Sequence, residues 1–306
     1  MSKIVVVGSS NTDMIAKIER IPKPGETVIG GKFSTAAGGK GANQAVAAAR
    51  AGGDVTFIAR VGEDMFGEQA LQGFVEDNID VSHVLKDTEA PSGVALIFVD
   101  EKGENSIAVA SGANACLTPA DVAAASDAIT SADVLVMQLE VPLETVEAAA
   151  AIAAENGVRV ILNPAPAQPL SDELLRHVSV LTPNEGEAEL LTGVKVESEK
   201  DAEAAANALL AKGVKSVLIT MGPRGVFAID SDCRELVPGF EVKAVDTTAA
   251  GDVFNGALAV AIAEGKPLKE AVAFANAAGA LSVTKLGAQP SAPTREQIDE
   301  FMNSRT

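Results

Sequence analysis

The chain has 306 residues, nearly half of them hydrophobic, which suits one large α/β domain over 1–306 that can bury a sizeable core. Its net charge of −18 would repel a phosphate backbone, and with no Trp or Tyr any base stacking would rest on Phe and His, so the composition argues against a nucleic-acid partner. A sugar bound here would be held by hydrogen bonds rather than on a broad aromatic platform, and an anion by backbone amides and a metal ion.

The N-terminal Met1-Ser2-Lys3 leads straight into Ile4-Val5-Val6-Val7-Gly8, too short an apolar run for a signal peptide and better read as a buried strand. No stretch is long and apolar enough to span a membrane, so no membrane partner is expected and the cytoplasm is the expected compartment. Beyond the first strand, segments alternate: strand-like Val55 to Ile58, helical Met65 to Asn78, strand-like Val134 to Val136, and a helix from Pro142 to Asn156 with Pro in its first turn. Val158 to Leu162, Val178 to Leu181 and Val217 to Thr220 again read as strands, with Ala-rich helices such as Asp201 to Lys212 between them. This alternation predicts an α/β fold, a mainly parallel central sheet flanked by helices on both faces. Two stretches lack partner helices. Residues 12–37 carry Pro22, Pro24, Gly30 and Gly31; residues 92–110 carry two β-rich runs around Glu101-Lys102-Gly103-Glu104, a hairpin signal. Both are expected in a small antiparallel sheet beside the main one, placed as a lid.

Five segments can carry chemistry. Ala37-Gly38-Gly39-Lys40-Gly41-Ala42-Asn43-Gln44 removes Cβ atoms where something must approach the backbone, then opens a helix over Ala45 to Arg50 whose first amides can meet an oxygen-rich ligand. It is not a Walker A loop, because Gly follows Lys40; a tight Gly turn before a helix explains it about as well. Asp246-Thr247-Thr248-Ala249-Ala250-Gly251-Asp252 precedes a helix with Phe254, Ala257, Leu258 and Ala261 on one face. Amides there can converge on an anion, and the Asp252 carboxylate beside them can take the proton of an attacking hydroxyl, a combination suited to phosphoryl transfer. Taken alone, the same segment is also a Thr-capped helix start with a favourable acid in its first turn.

Thr182-Pro183-Asn184-Glu185-Gly186-Glu187 follows a strand, where ligands bind in open α/β sheets, and Asn184 and Glu187 share a helix face that suits Mg²⁺ through water. An N-capped acidic helix start reads the same way. Thr220-Met221-Gly222-Pro223-Arg224-Gly225 can wrap a nucleotide's phosphates or be an ordinary Gly turn. Asn11 and Asp13 after the first strand, and Glu140 after a later one, can fork onto sugar hydroxyls or be solvated loop polarity. His83 and His177 are isolated, and Cys116 and Cys233 form no C-x-x-C, which argues against a zinc site or a disulfide framework.

In this order the segments resemble the PfkB family of carbohydrate kinases over nearly the whole chain. The likeness is carried by Gly8 to Asp13, Gly38 to Gln44, Asn184 to Glu187, Asp246 to Asp252 and Gly287-Ala288-Gln289-Pro290-Ser291. The resemblance implies a kinase that moves the γ-phosphate of ATP to the 5-hydroxyl of D-ribose, giving ribose 5-phosphate. A kinase for deoxyribose, another sugar or a nucleoside is the near alternative, and a non-catalytic sugar-binding regulator the distant one. By family motif, Asn11, Thr12, Asp13, Gly39, Lys40, Gly41, Ala42, Asn43 and Glu140 would hold the sugar, and Asp252 would be the base. Asn184, Thr220, Met221, Gly222, Pro223, Arg224, Gly225, Gly251 and Asn276 would meet ATP, and Asn184 and Glu187 would support Mg²⁺ through water. Asp246, Thr248, Ser282, Lys285, Gly287 and Ser291 match the family's monovalent-cation site, which implies activation by K⁺. The resemblance also implies a homodimer joined through the lid sheets. Ala249 stands where many family members carry Gly, and Asn276 where some carry His.

Overall fold

Short β-branched runs cannot fill a helix but can fill a strand buried on both faces, and the central elements of this chain are of that kind. The structure, a computed structural model, describes residues 2–305. Met1 and Thr306, the first residue of the N-terminal run and the last of the expected domain, lie outside the described residues.

The strands are β1 (Lys3–Val7), β2 (Asn11–Lys17), β3 (Lys32–Gly38), β4 (Asp54–Gly62), β5 (Asp80–Asp87), β6 (Gly93–Val99), β7 (Asn105–Ala110), β8 (Val134–Met137), β9 (Arg159–Leu162), β10 (Val180–Leu181), β11 (Ser216–Thr220), β12 (Val226–Ile229) and β13 (Arg234–Val237). The helices are α1 (Lys40–Arg50), α2 (Met65–Glu76), α3 (Pro119–Ala124), α4 (Ser126–Thr130), α5 (Leu143–Glu155), α6 (Asp172–His177), α7 (Glu185–Thr192), α8 (Glu199–Ala211), α9 (Ala250–Ala263), α10 (Leu268–Ser282) and α11 (Arg295–Asn303).

Nine strands form the main sheet in the order β13-β12-β11-β10-β9-β8-β1-β4-β5, all running the same way except β12, which pairs antiparallel with both β11 and β13. Its two faces are visible in β1. Ile4 and Val6 belong to the core that α1, α9 and α10 cover, while Val5 and Val7 belong to the core that α5 and α8 cover. Each such side chain, fully buried, contributes about 1.5–3 kcal/mol, so the sheet is held from both sides. The α1–α9 contact is close because Gly256 has no side chain; a Cβ there would meet Gln44 O, Ala48 N and the Ala47 methyl.

The second sheet has the order β3-β2-β6-β7. Its outer pairings, β2–β3 and β6–β7, are antiparallel, and the central pairing, β2–β6, is parallel. The reason is connectivity. β2 follows β1 and β6 follows β5, so both leave the same edge of the main sheet and run the same way.

Three differences from the sequence reading have local causes. Helix α1 starts at Lys40, not Ala45, because Gly39 (φ 89°) turns the chain directly out of β3. β10 shrinks to two residues because Val178 caps the preceding α6. β5 and β13 carry polar or mixed residues at the two sheet edges, where one-sided burial leaves no continuous apolar run.

Candidate active site

In an open α/β sheet, a crevice forms where chain order reverses at the carboxyl edge. Here β1 sits between β4 on one side and β8 on the other, so the reversal falls between β1 and β8. The residues just past those strands meet across it. Ser9 Oγ donates to Glu140 Oε2 at 2.5 Å, and the Lys40 amide at the start of α1 donates to the same oxygen at 2.9 Å. Gly41 is pressed against the backbone of Gly8 and Ser9, where a Cβ would collide. The glycine motif thus serves close approach of α1 to the strand ends.

Asp252 lies in the first turn of α9 and is 6% exposed. Ala249, the residue before that helix, has left-handed backbone (φ 58°), and no side chain caps the helix start. Helix α1 lies across it: Asn43 Nδ2 donates to Asp252 Oδ2 and Gln44 Nε2 to Oδ1, both at 2.9 Å. Burial raises the Asp252 pKa; the Lys40 charge and the Asn43 and Gln44 donations oppose the rise, and the Glu140 charge adds to it. Just behind, Asn255 Nδ2 donates to Gly251 O at 2.8 Å and Asn255 Oδ1 accepts from Thr182 Oγ at 2.7 Å, fixing the turn that carries Gly251.

Asp13 of β2 belongs to the same cluster. Burial, then the charges of Glu140 and Asp252, raise its pKa to about 6. Its carboxylate occupies the space a Cβ on Gly38 would need. Asn11 Oδ1 accepts from Asn114 Nδ2 at 2.7 Å, which turns the Asn11 amide group so that its own N–H donors face elsewhere. Asp13, Asn43, Glu140 and Asp252 therefore converge, and strand alternation puts Asn11 on the same face of β2 as Asp13. Thr12 does not join them: the strand pleat sends it the other way, into a cleft lined with Thr35, Ala37, Phe66 and Gln69. Ala42 is buried in the core.

The remaining candidates fall along the same sheet edge. Asn184 and Glu187 cap each other, Oδ1 accepting from Glu187 N and Oε2 from Asn184 N, both at 2.9 Å. Burial raises the Glu187 pKa, against the Asn184 amide and the Lys40 charge, with the Asp252 charge adding to the rise. Asn184 and Thr220 form a parallel bridge, so the two expected nucleotide segments are neighbours. Met221 is buried, Gly222–Arg224 make one 3₁₀ turn, and Gly225 (φ 103°) closes it through its carbonyl, which accepts from Met221 N at 2.9 Å. Arg224 is committed to Glu185 Oε1 at 2.5 Å and Glu197 O at 3.0 Å. Asn276 Nδ2 donates to Pro238 O at 3.1 Å, tying α10 to the loop after β13.

Asp246 knots two loops together. Oδ1 accepts from Thr248 N (2.9 Å) and Oγ (2.6 Å), Oδ2 accepts from Gly287 N (2.9 Å), and the Val245 amide donates to Val283 O (2.7 Å). Burial pushes the Asp246 pKa up, but the Thr248 and Gly287 donations and the Lys17 charge outweigh it and hold it below the usual range. The Ser282 and Ser291 hydroxyls donate to carbonyls three residues earlier, Gly279 O and Ala288 O, and the Lys285 amide donates to Ser282 O. What these loops can offer an ion is one carboxylate and carbonyl oxygens. That set fits a weakly held monovalent cation better than a dedicated divalent site, and among the described residues no group of three or more His, Cys, Asp or Glu could hold a metal. Any Mg²⁺ here would be carried mainly by phosphates and water.

Sequence reasoning passed over Gln138, Asn163 and Asn114, and gave Ser9 and Thr182 no role within the segments that contain them; all five are buried and hydrogen-bonded in or beside the crevice. A signal was available: Gln138, Asn163 and Thr182 each stand one residue past a strand of apolar side chains, at the carboxyl edge.

Comparison with known proteins agrees with this geometry. The chain is 48% identical to a ribokinase of Haemophilus influenzae over 299 residues, covering 98% of each. Among solved structures it is similar to a ribokinase of Thermotoga maritima (40% identity, TM-score 0.91, covering 99% of this chain and 100% of that one). It is also similar to an Arabidopsis thaliana ribokinase complexed with ribose and ATP (33% identity, TM-score 0.90, 99% of each). The family model for pfkB family carbohydrate kinases matches residues 1–295, and the chain belongs to that family.

Proposed function

We propose that this enzyme is an ATP-dependent sugar kinase that phosphorylates the 5-hydroxyl of D-ribose. The observation that carries the reading is the buried Asp252 carboxylate at an uncapped helix start, across a crevice from Asp13 and Glu140. Its similarity to ribokinases along nearly its whole length supports ribose as the sugar.

Asn11 and Asp13 orient the sugar, with Glu140 and the Gly39 to Asn43 segment closing on its other hydroxyls. Asp252 accepts the proton of the 5-hydroxyl as that oxygen attacks the γ-phosphorus, and the first-turn amides around Gly251 face the charge that develops on the phosphoryl oxygens. A carboxylate whose pKa is raised by burial is a better proton acceptor than an exposed one, and the Lys40 charge opposes that rise. Asn184, the Thr220 to Gly225 turn and Asn276 line the nucleotide side, and Glu187 would support, through water, the Mg²⁺ that travels with ATP. When bound, that ion would neutralise phosphate charge. Potassium would sit between the Asp246–Thr248 and Ser282–Ser291 loops, held by the Asp246 carboxylate and backbone carbonyls, and supply positive charge beneath the anion cradle. The reaction belongs in the cytoplasm, where ATP is.

The small sheet favours a homodimer. Phe33 is 70% exposed, Ile107 55% and Val109 51%, and every residue of β7 is exposed. An isolated four-stranded sheet with such faces is covered when two copies pair. Sedimentation equilibrium of wild type against Phe33→Glu/Ile107→Glu reads this directly; a wild-type monomer at micromolar concentration would sink it.

The deciding experiment for the activity is a substrate panel with ATP and Mg²⁺: ribose, deoxyribose, fructose and adenosine. Ribose should give the highest kcat/KM. A higher value for fructose or adenosine would overturn the assignment, and no turnover with any sugar would favour a binding protein that kept the fold.

A further inference from the structure

Beneath Asp252 lies a chain of buried amides that no step above uses. Gln44 and Gln138 are fully buried and Asn163 is 7% exposed. Gln44 Nε2 donates to Asp252 Oδ1 at 2.9 Å and to Asn163 Oδ1 at 3.1 Å, and Gln44 Oε1 accepts from Gln138 Nε2 at 2.6 Å. Asn163 Nδ2 reaches on to Thr182 O at 3.4 Å.

The polarity of this chain is imposed from one end. An ionised carboxylate only accepts, so Gln44 must present its NH₂ to Asp252 and therefore its oxygen to Gln138. Gln138 must then present its own NH₂, which leaves Gln138 Oε1 buried against the Gly8 backbone with no donor. A buried acceptor without a partner is costly. A purely structural network would have avoided it by an apolar residue at 138.

We propose that Gln44 is the positioning residue of Asp252: held in one orientation by Gln138 and Asn163, it fixes the carboxylate plane and keeps the group ionised for proton transfer. This rests on Asp252 being the base. Gln44 is fully buried, with its amide committed to Asp252, Asn163 and Gln138, so it does not touch the sugar. Its removal should therefore act on turnover and on the titration of Asp252, not on substrate affinity. The charged groups facing Asp252 are Lys40 of α1, Glu140 after β8, Asp13 of β2 and Glu187 of α7, and all remain in the variants.

The test uses Gln44→Met, Gln138→Met and Asp252→Asn, with kcat and sugar KM measured from pH 5 to 9. Gln44→Met should lower kcat about ten- to hundredfold, change KM little, and move the acidic limb of kcat to higher pH, because a donation favouring the charged form is lost. Gln138→Met leaves Asp252 its own donors but frees the Gln44 amide to turn; a smaller loss with the limb moved the same way is expected, and it carries the test if Gln44→Met does not fold. A folded Gln44→Met with unchanged kcat and limb overturns the proposal. So does a loss of kcat with the limb unmoved, since that is what a structural role would give. Turnover retained by Asp252→Asn would instead overturn the base assignment on which the proposal rests.

Discussion

Asp246 and Asp252 open and close one seven-residue segment, yet their surroundings treat them oppositely. Around Asp246 three donors converge from Thr248 and Gly287, and its pKa is held down despite partial burial. Around Asp252 burial dominates: two neutral amides and Lys40 fall short of offsetting it, and Glu140 and Asp13 add negative charge. Six residues apart in sequence, one carboxylate is favoured in its charged form and ties loops together, while burial disfavours the charged form of the other. The difference lies in what faces each group. Asp246 meets two backbone N–H groups and a hydroxyl of flanking loops, whereas Asp252 meets side chains of a packed helix.

The comparison is broken most strongly at Asp252. Asp252→Asn keeps the shape but cannot accept a proton, so turnover should fall on the order of a hundred- to ten-thousand-fold while ribose binding by calorimetry persists. A folded variant with more than about a tenth of wild-type turnover would remove the base role; a mere helix-terminus charge would have cost at most about 1 kcal/mol of stability. Next comes Asp246→Ala, which removes the carboxylate and frees two loops. The K⁺ concentration for half-activation should rise about ten- to hundredfold, read from initial rates titrated with KCl against NaCl. Full wild-type activity without any monovalent activator would count against a cation between these loops.

Asp13 sharpens the contrast on the stability side. Burial holds its folded pKa at about 6, above the ordinary carboxylate range, so the native state binds more protons across that window and loses stability as pH rises through it. Asp13→Asn removes this burden. Measured by urea unfolding, the variant should be about 1–3 kcal/mol more stable than wild type at pH 7, with the gap closing below pH 4 and sugar affinity reduced. Equal stabilities at pH 7 would mean that the carboxylate is better solvated than its burial implies. The smallest effect belongs to Ala249, whose left-handed backbone strains an L-residue. Ala249→Gly relieves about 1–2 kcal/mol of strain against about 0.5–1 kcal/mol of added chain entropy, so stability should rise slightly or stay level. A loss of more than about 1 kcal/mol would contradict the argument.

The segments that read most clearly from sequence were those whose chemistry is local. Short β-branched runs around Val6, Val136 and Ile219 could only be buried strands, and Gly38 to Gly41 and Asp246 to Asp252 announced a turn and a helix start. The family resemblance then named the cleft residues, which the fold brings together apart from Thr12, turned away by the pleat, and Ala42, taken into the core.

Sequence alone thus determined the alternating α/β elements, because hydrophobic period and turn chemistry act over a few residues, and it marked where carboxylates meet glycine-rich helix starts. Only the tertiary structure decided which of those carboxylates would be hard to ionise. That depends on β1 and β8 flanking the reversal, on Gly256 letting α1 lie against α9, and on Gln44 and Asn43 then reaching Asp252 from more than two hundred residues away along the chain. It also decided that β2 and β6 run parallel, since strand direction follows from the edge each chain segment leaves, not from its own residues.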